Sequence, residues 1–151
     1  MAGEDKGKIL LSEIDLDKNF GELLNQEDRK YLLKHGSVYK AETGTVLCQE
    51  GEMGNTVFVI LQGKAEVSKE SGEKTLKIGE LGIGELVGEI SALLSMPRIA
   101  TVAVTQPSII LEMRIDDFSN LLEEVPNLKN MVYKKLSERT IQTTIEHQKN
   151  S

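Results

Sequence analysis

The amino-acid sequence predicts an α+β chain that is mainly β: an antiparallel barrel or roll held between helical ends. Three observations predict it. Short runs rich in Val, Ile, Thr and Phe recur between Ser37 and Arg114. Glycine-bearing turns punctuate those runs at regular intervals. At both ends of the chain the apolar spacing changes from strand-like to helical. At 151 residues the chain has the length of one domain and can bury a core without staples.

Residues Met1 to Lys8 are polar, and Ile9 to Leu16 allow a short helix or an extended arm, so 1–19 reads as an N-terminal arm and 20–151 as the domain. Asn25 is placed to cap a helix over Gln26 to Lys34, and Gly36 to end it. Strands are expected over Ser37 to Lys40, Thr45 to Cys48, Thr56 to Gln62 and Lys64 to Lys69, the last alternating Ala65 and Val67 with Lys64, Glu66 and Ser68. Ser71-Gly72-Glu73 turns the chain into a strand beginning at Thr75. Ile99 to Val104 and Ser108 to Arg114 follow, divided by Thr105-Gln106-Pro107. A helix is expected from Asp116, with Phe118, Leu121 and Leu122 on one face, and Val125-Pro126 interrupts it. Pro126 opens a longer helix, 127–147, whose first half is amphipathic through Leu128, Met131, Val132 and Leu136. Ile141 and Ile145 project from another face of that helix, which points to a partner.

Composition excludes several classes. The net charge of -6 argues against nucleic acid held by a general basic surface, while leaving room for one buried arginine on one small anion. Cys48 is the lone cysteine and His35 and His147 are far apart, so neither a disulfide framework nor a metal centre is expected. No apolar run approaches a membrane span, and Glu4 and Asp5 do not suit a signal peptide; the expected location is cytoplasmic.

The stretch Gly84 to Val102, G-E-L-V-G-E-I-S-A-L-L-S-M-P-R-I-A-T-V, carries the chemistry. If Gly88 opens a short helix, the amides of Glu89, Ile90 and Ser91 share a concavity, Glu89 can accept from sugar hydroxyls, and Arg98 can pair with a phosphate. Pro97 directs the chain after Arg98, and Ala100 is small enough for close approach. The combination suits one phosphorylated ribose.

Gly88-Glu89-Ile90-Ser91, six residues, then Pro97-Arg98-Ile99-Ala100-Thr101-Val102 resembles the phosphate-binding cassette of cyclic nucleotide-binding domains. Leu81 to Val87, Thr45 to Glu52 and Val57 to Val67 resemble the family's lead-in strand and first hairpins, so the likeness runs from about Phe20 to His147. It implies an antiparallel β-roll (a double-stranded, jelly-roll-like β-helix) with an N-terminal helical bundle and two C-terminal helices. It also implies that Glu89 holds the ribose, Arg98 the phosphate, and Gly88, Ile90, Ser91, Pro97, Ile99 and Ala100 the rest of the pocket. Family members favouring cGMP often carry Thr or Ser where this chain has Ile99, so cAMP is the expected ligand and cGMP the lesser one. The terminal helix is similar to that of the bacterial catabolite activator group, which places Arg139, Thr140, Thr143 and Thr144 as lid or base contacts and implies a homodimer through that helix. No helix-turn-helix follows it, so a regulatory module is expected, without direct DNA binding, fused output, catalytic residues or cofactor, and acting on an unidentified protein partner. The alternative is a protein-interaction module of the same fold whose pocket is empty, degenerate or holds another nucleotide.

Overall fold

The computed structural model describes residues 25–134 and Ser137. The expected arm 1–19, the part of the expected N-terminal helical bundle before Asn25 and, Ser137 apart, the part of the expected terminal helix beyond 134 lie outside the described residues. Helix α1 (Gln26–His35) starts at a reciprocal capping box: Asn25 Oδ1 accepts from the Asp28 amide at 2.9 Å, and the Asn25 amide donates to Asp28 Oδ2 at 3.0 Å. It runs straight into β1 (Gly36–Ala41).

The strands that follow are β2 (Val46–Cys48), β3 (Thr56–Gln62), β4 (Ala65–Ser71), β5 (Lys74–Leu81) and β6 (Leu86–Val87). After the short helix α2 (Glu89–Leu93) come β7 (Thr101–Val104), β8 (Ser108–Arg114) and α3 (Ile115–Glu124). Helical backbone resumes over 126–134, with Pro126 at its start as expected. The β strands form two four-stranded antiparallel sheets, ordered β1-β8-β3-β6 and β2-β7-β4-β5. The mainly β roll expected from the turn spacing is the fold observed.

The apolar run of β3 explains the layering. Val57, Val59 and Leu61 face one side and join Phe118, Leu121 and Leu122 of α3 with Leu128 and Val132 of the following helix. Phe58 and Ile60 face the other side and pack between the sheets with Ile110, Val87, Val102 and Val104. A strand buried on both faces needs an unbroken apolar sequence, and V-F-V-I-L supplies it. Ile60 and Ile110 have 0% exposure, and burying each contributes about 2 kcal/mol relative to leaving it in water. Tyr31 of α1 donates its hydroxyl to the Asp117 carbonyl at 2.8 Å, tying the first helix to α3.

One strand starts two residues later than expected. Ile99 and Ala100 do not begin β7, which starts at Thr101. The main chain of Arg98 is instead bonded to the segment between β2 and β3, its amide donating to the Glu52 carbonyl at 2.8 Å and its carbonyl accepting from the Gly51 amide at 2.9 Å. Thr101 continues this attachment by accepting from the Glu50 amide at 3.0 Å through Oγ1. Ladder pairing with β4 begins only at Thr101.

Candidate functional site: a cavity with a buried arginine

The turn between β5 and β6 is pinned to β3, Gly84 donating to the Ile60 carbonyl at 2.8 Å and Ile60 donating to the Glu85 carbonyl at 3.1 Å. Leu86 and Val87 are buried, and Gly88 then turns the chain with φ +81° into α2. A Cβ on Gly88 would collide with Arg98 Nη1 and stand 3.1 Å from Cys48 Sγ, so the position is restricted both by backbone angle and by space. Glu89 opens α2 with its side chain buried.

The five-residue helix α2 ends in a Schellman arrangement. The Met96 amide donates to the Ser91 carbonyl at 2.9 Å, the Ser95 amide to the Ala92 carbonyl at 3.4 Å, and Ser95 takes the left-handed conformation with φ +52°. That reversal, followed by Pro97, returns the chain to Arg98 beside the residues where α2 began.

Arg98 is 6% exposed and its guanidinium is fixed by four hydrogen bonds. Nη1 donates to the Gly88 carbonyl at 2.8 Å and to Ser91 Oγ at 3.1 Å. Nη2 donates to the carbonyl and the hydroxyl of Thr56 at 3.0 and 3.2 Å. All four acceptors are uncharged, so these bonds orient the positive charge without cancelling it.

A cavity of about 480 Å³ lies over this charge, between the β4–β5 hairpin and the segment from β6 to β7. Of the residues expected to form a pocket, Gly88, Glu89, Ser91, Arg98, Ile99 and Ala100 line it together. Pro97 does not, and the side chain of Ile90 is not among those described. Arg139, Thr140, Thr143 and Thr144 lie outside the described residues. The lining thus includes a cation, a carboxylate and a hydroxyl, from Arg98, Glu89 and Ser91, and aliphatic surface from Val67, Ile78 and Ile99. Cys48 forms part of the wall, and burial pushes its thiol up to about 11, with the Arg98 charge pulling the other way and Glu89 adding to the rise. The volume falls in the range of small-molecule sites, and the lining suits a ligand that carries an anionic group, hydroxyls and an apolar group.

Several participants carry little signal in the sequence. Lys69 also lines the cavity; the alternation Ala65, Val67 extended by one step would have placed it there. Thr56 and the close-packed Gly54 carry no local signal, since they reach Arg98 only through the fold.

Comparison with known proteins agrees with this geometry. The family model described as "Cyclic nucleotide-binding domain" matches residues 38–125. The chain belongs to that family. It is 29% identical over 134 residues to the Pycsar effector protein PaPycTIR of Pseudomonas aeruginosa, an alignment covering 88% of this chain and 42% of that protein. It is 30% identical over 105 residues to a cAMP-dependent protein kinase regulatory subunit of Mycosarcoma maydis, covering 68% of this chain and 20% of that one. The chain therefore spans less than half the length of either curated relative. A crystal structure of a cyclic nucleotide-binding domain from Methylobacillus flagellatus superposes with a TM-score of 0.65 at 27% identity, covering 82% of this chain and 70% of that one. Among the described residues no helix is long and apolar enough to cross a membrane.

Proposed function

We propose that this chain is a sensor that binds a cyclic nucleoside monophosphate, cAMP in preference to cGMP, and acts by binding rather than by catalysis. The observation that carries the reading is Arg98, a buried guanidinium fixed by uncharged acceptors in the wall of a cavity of about 480 Å³. A cyclic phosphate diester presents one negative charge, which a single such cation matches. Glu89, which lines the same cavity, accepts from the ribose hydroxyl in this reading, and Ser91 adds a hydroxyl beside Arg98. Val67, Ile78 and Ile99 offer aliphatic surface to a base. Ile99 supports the preference for cAMP, because it brings no side-chain hydroxyl to a guanine. The Mycosarcoma maydis relative, whose name declares dependence on cAMP, points the same way.

In this reading the terminal helix is the output. Arg139, Thr140, Thr143 and Thr144 close over the bound nucleotide, and a second copy pairs along the same helix. Contacts that exist only in the closed arrangement give the ligand its differential affinity and shift the population towards it. A cytoplasmic location and a separate protein partner complete the proposal.

Calorimetric titration with cAMP and with cGMP tests it. Wild type should bind cAMP more tightly than cGMP, and Arg98→Lys, which keeps the charge but loses the planar fork, should weaken binding by roughly tenfold or more. Absence of binding to either nucleotide at millimolar concentration overturns the reading in favour of a protein-interaction module. An Ile99→Thr variant that leaves the cAMP-to-cGMP ratio unchanged removes the argument for cAMP.

A further inference from the structure

We propose that Thr56 is a positioning residue of the anion site, holding the Arg98 guanidinium from behind. The inference rests on the reading of the cavity as a phosphate site. The four bonds to Arg98 fall into two pairs with different surroundings. Gly88 and Ser91, the acceptors of Nη1, line the cavity. Thr56, which takes both bonds from Nη2, does not line it.

An incoming phosphate oxygen can therefore compete with Ser91 Oγ, which lines the cavity and whose hydroxyl donates to the Gly88 carbonyl at 3.2 Å. It has no such access to Thr56, so the Nη2 bonds persist and set the angle of the guanidinium plane. Gly54 completes the rear wall: a Cβ there would stand 2.6 Å from Nε and 2.7 Å from Cζ of Arg98. Gly51 and Glu52 of the same segment bind the main chain of Arg98. Residues 51–56 thus hold both the main chain and the guanidinium of one arginine.

The test uses the full chain, with Thr56→Val removing the hydroxyl at nearly constant shape and Thr56→Ser restoring it. Calorimetry with cAMP and cGMP should show Thr56→Val weaker by roughly tenfold, the worth of one hydrogen bond to a charged group, and Thr56→Ser close to wild type. In ligand-free protein, nitrogen-15 NMR of the Arg98 side chain should show faster solvent exchange of Nε–H in Thr56→Val and a wild-type rate in Thr56→Ser. A merely structural threonine would leave that exchange rate unmoved. Wild-type affinity and exchange in Thr56→Val, or equal losses in both variants, overturn the proposal. Failure of wild type to bind either nucleotide overturns the phosphate reading instead, and the exchange rates still decide whether Thr56 positions Arg98.

Discussion

Gly54 lies against the guanidinium of Arg98 with no room for a side chain, a Cβ there falling 2.6 Å from Nε. Its φ lies outside the left-handed region, so alanine is acceptable to the backbone and the conflict is purely one of space. Gly54→Ala should displace the guanidinium, weaken cyclic nucleotide binding by more than tenfold, and destabilise the fold by about 1–3 kcal/mol. Gly88→Ala combines the same collision with a left-handed backbone and should lose about 1–2 kcal/mol more. Urea denaturation and calorimetry on the two variants measure both effects.

Alkaline pH should destabilise the protein through Cys48. Its thiol is raised from 9.0 to about 11 in the folded chain, chiefly by burial. Below 9 both folded and unfolded states keep the proton, so stability is insensitive to pH through this residue. Between about 9 and 11 the unfolded chain loses its proton first, and stability falls as pH rises. Tyr39, buried beside Glu112 and raised for the same reason, adds to the loss at higher pH. Denaturation midpoints of Cys48→Ala should lack the component that begins near 9, whatever the variant's absolute stability. An identical slope in both proteins would refute the assignment.

Ser95 occupies a left-handed position that glycine adopts without strain. Ser95→Gly should stabilise the fold by up to about 1 kcal/mol, and Ser95→Val should lower stability by at least that much. The midpoint of chemical denaturation reads both.

The capping box of α1 makes a separable prediction. Asn25→Ala removes the acceptor for the Asp28 amide and should cost about 1 kcal/mol, while Asn25→Asp should stay near wild type. Neither variant should alter nucleotide affinity.

These residues also show what could be read from the chain alone. The capping box is local, and Asn25 three residues before Asp28 is visible as text. β3 and β8 have the bounds expected of Thr56 to Gln62 and Ser108 to Arg114, because strands at the centre of a sheet need dense β-branched and apolar sequence. The spacing from Gly88 to Arg98 is likewise local, so the two ends of the cassette could be paired before any fold was known. Ile99 and Ala100 misled because their apolar character serves a cavity wall rather than a ladder. Thr56 could not be seen at all. It stands 42 positions from Arg98, and only the pairing of β3 with β6 and β8 brings it there.

The irregularity in β5 has a bearing on solubility. Val67 pairs with Gly79 and Ser68 with Lys77, which leaves Ile78 as an extra, unpaired residue on the edge of its sheet. An edge strand offers a row of open main-chain groups to any other chain, and Leu76 and Ile78 are both exposed on this one. The bulge interrupts that row, so a foreign strand cannot run in register along it. The residue that spoils the edge is also one that lines the cavity. Deleting Ile78 would regularise the strand and strip aliphatic surface from the cavity, so self-association into β aggregates should appear together with weaker nucleotide binding.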